Sequence, residues 1–172
     1  RLKGLANDYI GKSMSAGLIS IRTSKNIQNQ KSHNTLIGNV ALYGATGGEL
    51  YVAGSAAERF AVRNSGASAV VEGVGNHGCE YMTQGTVLIL GNIGKNFGAG
   101  MTGGVIYLYA KKKNLKNYIN HDFVEESKIL AKDKIIIFCF LKNHIFHTGS
   151  RIWRKIEKNW EQELYNFKKI TP

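Results

Sequence analysis

The sequence predicts an all-β fold, a solenoid of stacked single strands followed by a short α-helical C-terminal tail, and three observations carry that reading. The first is a repeat. The glycines that open its apolar runs, set in register, are Gly17, Gly48, Gly66, Gly85 and Gly104, spaced 31, 18, 19 and 19 residues apart. Removing the polar stretch 23–34 (TSKNIQNQKSHN), 12 residues long, from the first interval restores 19, so five copies share one period. The second observation is alternation. Two and four residues after the glycine stand Ile19 and Ile21, Leu50 and Val52, Ser68 and Val70, Val87 and Ile89, and Ile106 and Leu108, all aliphatic except Ser68, while the positions between are mixed. That is the period of a strand with one buried face. The third is a split in composition: 19 of the 20 glycines lie at or before Gly104, so the repeat and the tail are built differently.

A period near 19 is too short for a pair of helices. A coil of that length that returns to its start and rises by one strand spacing, about 4.8 Å, can stack like on like. Five small apolar faces that could not be buried singly are then buried by their neighbours. Glycine suits the corners, where φ turns positive or backbones crowd.

In chain order, residues 1–22 form the first coil, with its turn at 11–17, and 23–34 a solvated insertion. Residues 36–53, 54–71, 72–90 and 91–109 make the next four coils. Residues 1–110 are therefore expected to be the glycine-repeat β-helix domain, 111–133 a basic linker opening on Lys111, Lys112 and Lys113, and 134–172 a helical tail. In the tail, Trp153, Ile156, Trp160, Leu164 and Phe167 recur at helical spacing, with Ser150 as a candidate N-cap. Gly149 suits the end of a preceding helix within 134–147, although Ile135, Ile136 and Ile137 favour a strand by composition. A stack of strands exposes an edge at each end, and the tail is placed to cover one of them.

The chain carries a formal net charge of +11. Nine Lys or Arg face five acidic residues in 1–110, whereas 14 face seven in 111–172, so the excess is denser in the tail. No aromatic interleaving and no recognition motif accompanies it, so it is read as solvated surface, with no nucleic-acid partner expected. Cys79 and Cys139 lie in different halves among apolar neighbours, which suits a reduced pair in an intracellular, soluble protein. No signal peptide opens the chain, and the longest apolar run, 135–141, is too short for a bilayer, so no membrane partner is expected. The chain begins at Arg1 within a coil. It is expected to be part of something longer, and the uncovered edge of its first coil to favour self-association.

Several motifs imitate active sites. Gly73, Gly75 and Gly78 spell GxGxxG, as do Gly98, Gly100 and Gly103, yet both lead toward strands and not into the helix that a dinucleotide loop must open. Ala6 through Gly11, Lys12 and Ser13 resembles a phosphate loop with alanine in first place, but the same turn recurs in other copies and no helix follows. His144 and His147, with Cys139 nearby, lack the four-ligand set of structural zinc, so a plain helical surface is favoured. Glu58, Arg59, Arg63 and Asn64 form the densest polar cluster of the repeat, best read as pairing between coils or with a neighbouring domain. Catalytic, cofactor-binding and metal-ligating residues are accordingly expected to number none.

The segments ANDYIGK, IGNVALYGATGGELYVAGSAAERFAVRNSGASAVVEGVGNHGCEYMTQGTVLILG and NFGAGMTGG resemble the glycine-repeat (GXGXG) domain at the C-terminal end of the glutamate synthase large chain. The likeness covers residues 5–109 with one interruption and resumes at HIFHTGS, Trp160 and LYNFKKITP. It implies a right-handed parallel β-helix that acts as a structural connector. The parent enzyme is an oxidoreductase that converts glutamine and 2-oxoglutarate into two glutamates, using FMN, a 3Fe-4S cluster and NAD(P)H or ferredoxin. On that resemblance the partners are the amidotransferase and FMN domains of the parent chain, and this portion is inactive alone. Ser13 and Gln84 stand where the family usually has glycine. Two other readings remain: a scaffold subunit related to that of formylmethanofuran dehydrogenase, against which the TGS-to-FKKITP tail speaks, and a solenoid module for polysaccharide. The last would need carboxylates or aromatics in line, and Glu49, Glu58, Glu72 and Glu80 share no register position.

Overall fold

The computed structural model describes residues 1–23, 34–111, 115–151 and 156–172. Most of the insertion, together with Lys112, Lys113 and Trp153, lies outside them. The chain is a β-solenoid of about five turns. Parallel strands β1 (Leu2–Lys3), β2 (Leu18–Arg22), β4 (Glu49–Ala56), β5 (Ser65–Val74), β6 (Gln84–Asn92) and β7 (Val105–Tyr109) stack in that order. Strand β3 (Thr35–Ile37) lies beside the end of β4.

The aliphatic columns are continuous. Ile19 pairs with Leu50, Leu50 with Ala69, Ala69 with Val87 and Val87 with Ile106. Ile21, Val52, Val71, Ile89 and Leu108 form the second column. The third copy corrects the glycine register: Ala69 and Val71 enter the ladder, not Ser68 and Val70, so all ten places are aliphatic. The cause is that the corner uses two glycine columns for two reasons. Gly17, Gly48, Gly85 and Gly104 have φ between 85° and 96°. Gly66 belongs instead with Gly47 and Gly103, where a Cβ would strike the carbonyl oxygen of the coil below, at 2.2, 2.5 and 2.1 Å. Asn64 then falls in the inward-facing column of Met14, Ala45, Met82 and Met101, the place that counting back three residues from Gly66 would give to Arg63.

Glycine does not turn most of the other corners. Each coil contains a stretch in which every second residue is left-handed: 9, 11 and 13; 40, 42 and 44; 59, 61 and 63; 77, 79 and 81; 96, 98 and 100. Eleven of these 15 are not glycine. Left-handed backbone costs an L-residue roughly 1 to 2 kcal/mol. The cost is offset by hydrogen bonds between coils, such as Arg59 N–H to the Asn76 carbonyl at 2.9 Å, Ala61 to Ala41 at 2.8 Å and Arg63 to Glu80 at 2.8 Å. At the start of each stretch a polar column (Asp8, Asn39, Glu58, Asn76, Lys95) continues the ladder. Asp8 Oδ1 accepts from the Asn39 amide at 2.7 Å, Asn39 Oδ1 from Glu58 at 3.1 Å, and Asn76 Oδ1 from Lys95 at 2.8 Å.

The tail is more than a helical appendage. Helix α1 (Ala131–Thr148) settles the segment that composition left open, and Gly149 ends it in the left-handed conformation at φ 72°. Its buried Ile137, Leu141, His144 and Thr148 face the outer side of the sheet. There Tyr51, Val70, Leu88 and Tyr107 form a third column and, with Leu164 and Phe167, a second apolar core. The stripe expected to be one helix through Phe167 is not one. It contains α2 (Trp160–Glu163), a 3-10 turn (Leu164–Asn166) and strand β9 (Phe167–Thr171). Strand β9 runs antiparallel along β7, Ile106 opposite Ile170, because the open edge of the last coil offers backbone partners that a helix would forgo. Strand β8 (Glu125–Ser127) pairs with β9 in turn.

Candidate functional site

The motifs that imitate active sites are absorbed by the stack. Gly73 lies within β5, a Cβ at Gly78 would meet the Phe97 ring at 3.0 Å, and Gly98 and Gly100 are left-handed turn residues. No helix follows either triplet. In the phosphate-loop look-alike, the Ser13 amide donates to the Tyr43 carbonyl at 2.8 Å, Met14 to Gly11 at 3.0 Å and Lys12 to Tyr9 at 3.1 Å. Amides so occupied do not converge on an anion. The Lys12 Nζ sits 5.2 Å above the Tyr9 ring.

His144 is not on a helical surface. It is fully buried, and its Nε2 is 3.2 Å from Glu72 Oε1, the same oxygen to which the Ser150 hydroxyl donates. The Thr148 hydroxyl, which donates to the His144 carbonyl, also accepts from the Ser150 amide at 3.2 Å. Serine, histidine and glutamate thus meet, but in an order that does not activate serine: both donors point at the carboxylate, so the imidazole is not placed to take the hydroxyl proton. Ser150 thus acts as a clasp to Glu72, and its expected role as a helix N-cap falls on residues outside those described. His147 stacks on Tyr51 with ring centroids 4.9 Å apart, while Cys139 is exposed, so the three do not form a ligand set. Among the described residues no three His, Cys, Asp or Glu converge on a point. No helix among them is long and apolar enough to cross a membrane. Both cysteines are free, and burial pushes the Cys79 thiol up, away from reactivity.

Two further networks fix the tail. Asp133 accepts from the Tyr107 hydroxyl at 2.7 Å, the Leu130 amide at 2.7 Å and Lys169 Nζ at 3.0 Å, tying the start of α1 to β7 and β9. Glu163 accepts from the Tyr109 hydroxyl at 2.5 Å, Lys111 Nζ at 2.9 Å and Asn166 Nδ2 at 2.7 Å, and these bonds, Tyr109 foremost, hold its carboxyl below the ordinary range. The partners lie up to 78 residues apart, which is why no local signal in the sequence disclosed them.

The polar cluster Glu58, Arg59, Arg63 and Asn64 divides. Asn64 is fully buried and internal. Glu58 holds Asn76 at 3.0 Å, and Arg63 Nη1 donates to the Tyr43 hydroxyl at 3.5 Å. Arg59 and Arg63 line a surface cleft of about 640 Å³ with Tyr43, Tyr81 and Thr83. The structure thus brings together residues that join coil to coil and coil to tail.

Stacked coils with crowded glycine corners and a docked tail define a glycine-repeat β-solenoid, a fold in which each repeat contacts its neighbours. Within that class the chain belongs to the GXGXG motif family, which matches residues 1–172. It is 43% identical over 178 residues to the glutamate synthase [NADPH] large chain of Bacillus subtilis (strain 168), a match that takes in 99% of this chain and 11% of the relative. It is 44% identical over 173 residues to glutamate synthase [NADH] of Schizosaccharomyces pombe, covering 100% of this chain and 8% of that one. The ferredoxin-dependent glutamate synthase of Cyanidium caldarium is also 44% identical over 173 residues, with 11% of its length covered. The chain thus spans about a tenth of the relatives it matches.

Proposed function

We propose that this chain is a structural domain of a glutamate synthase, holding an amidotransferase domain and an FMN domain in the geometry that ammonia transfer between them requires. The observation that carries the reading is end-to-end similarity to glutamate synthases that differ in reductant but share this tenth of their length. A ladder in which every coil is bonded to the next is stiff, and stiffness is what a spacer between two reaction centres supplies. The parent reaction is the conversion of glutamine, 2-oxoglutarate and reductant into two glutamates.

The cofactors of that reaction do not fit this domain. Iron–sulfur clusters are held by several cysteine thiolates, whereas Cys79 is in the solenoid core and Cys139 is exposed on α1. The glycine turns that could cradle the phosphate of FMN spend their amides on neighbouring coils. FMN and the cluster are accordingly assigned to other domains of the parent.

The test is a pair of preparations. The full-length protein should form glutamate from glutamine and 2-oxoglutarate in the presence of NADPH, NADH or reduced ferredoxin. Residues 1–172 alone should neither release ammonia from glutamine nor purify with flavin absorbance, and a flavin spectrum in the isolated domain would refute the assignment.

A further inference from the structure

Left-handed backbone is costly for any residue but glycine, so a side chain kept there needs a compensating gain. In the middle column of the turns the gain is burial, since Leu42, Ala61 and Cys79 fill the core. In the outer columns it is not. Arg59, Arg63 and Tyr81 have φ of 56°, 56° and 54° and exposed side chains. The column of Arg63 and Tyr81 holds Gly44 and Gly100 in the coils on either side, so glycine serves at this place and is used there. Glycine would make the same hydrogen bonds between coils without the strain, so a side chain kept in that conformation marks a site where it is needed for something else.

The surroundings are those of a contact surface. A Cβ at Gly100 would lie 2.5 Å from the Tyr81 ring, so that glycine makes room for the ring against the turn. The Tyr43 hydroxyl steers the Arg63 guanidinium. Nearby acids are already engaged: Glu58 holds Asn76, and Glu80 is 2.7 Å from His77 Nδ1. Among the described residues neither Arg59 nor Arg63 forms an ion pair. Arginine and tyrosine are the residue types that anchor protein interfaces, and the guanidinium fork matches a carboxylate.

We propose that the cleft centred on Arg59, Arg63 and Tyr81 is the surface on which a carboxylate-bearing segment of another domain of the same protein docks. The arginines take the carboxylates and Tyr81 packs against the segment. The proposal rests on reading the chain as one domain of a larger protein.

Zero-length carbodiimide coupling joins amines to carboxylates and leaves arginine untouched, so the full-length protein would be treated as wild type, R59K and R63K. Each variant, but not wild type, is expected to gain a cross-link from the substituted position to an Asp or Glu outside residues 1–172, with the yield falling several-fold in high salt. Three results would overturn the proposal: a cross-link only within these 172 residues, a cross-link to a second copy of the same domain in isotope-mixed protein, or none at all while the position is acetylated as fast as Lys116. Glutamate formation by the wild-type protein is measured alongside. Its absence would remove the glutamate synthase reading, and the cross-links would still decide the docking surface.

Discussion

The Asn64 carboxamide oxygen accepts the Ala67 amide proton at 2.9 Å, and its nitrogen donates to the Ala67 carbonyl at 3.0 Å. The same oxygen takes the Gly66 amide at 3.2 Å. One polar side chain in a column otherwise filled by Met14, Ala45, Met82 and Met101 thus satisfies the corner where Ala67 replaces the left-handed glycine of other coils. Asn64→Ala would bury those groups unpaired and is expected to cost about 3 kcal/mol. Asn64→Leu, which restores an apolar column, should recover little of it. Urea unfolding checks both, and a loss under 1 kcal/mol for either would contradict the account.

The two glycine columns predict two different penalties. At Gly103 an added Cβ would sit 2.1 Å from the Thr83 carbonyl oxygen, which cannot retreat without breaking the stack. Gly44 has open space but φ 61°. Gly103→Ala is therefore expected to cost about 3 kcal/mol by overpacking, and Gly44→Ala about 1 kcal/mol by backbone strain alone. Thermal melts of the two variants should separate clearly, and equal losses would mean that crowding is not what Gly103 relieves.

These two columns also explain what could be read from the sequence. Ile19, Leu50, Val87 and Ile106 were legible because a buried parallel strand selects aliphatic residues at every second place. The third coil was misread by one residue because Gly66 looks like Gly48, although one avoids a carbonyl and the other supplies a positive φ. The left-handed turns were hidden because Arg59, Arg63 and Tyr81 are residue types that pattern reading never places there. Phe167 continues a helical stripe from Trp160 and Leu164, yet the free edge of β7 captured it as strand, a tertiary effect that spacing does not carry. For the same reason Glu72 had no visible link to His144 and Ser150, and nothing local showed that within the polar cluster Asn64 is buried while Arg59 and Arg63 line a surface cleft.

Asp133 should make stability depend on acid. Burial by itself would raise its carboxyl, but hydrogen bonds from Tyr107, the Leu130 amide and Lys169, with the Lys169 charge, outweigh that and leave it below the usual aspartate value. A carboxyl lowered by folding stabilises above its unfolded pKa, near 4, and the contribution is lost as pH falls through the folded value. Asp133→Asn is expected to cost about 3 kcal/mol at neutral pH and to flatten the fall in stability below pH 4. Chemical unfolding at pH 7 and pH 3 measures both, and parallel pH profiles for wild type and variant would rule the group out.

The Glu72 clasp fastens the far end of α1 to β5. Glu72→Ala removes the carboxylate that the buried His144 Nε2 and the Ser150 hydroxyl share, and the stranded imidazole N–H is expected to cost about 2 kcal/mol. Asp133 would still hold the other end of the helix, so the expected result is local opening and not global unfolding. Amide exchange should then accelerate about 30-fold in the last turns of α1, around Leu141 to Thr148, while the first turn and the strand columns keep their protection. Uniform acceleration along the helix would instead mean that α1 is held by its apolar face on Tyr51 and Val70, with the clasp contributing nothing separate.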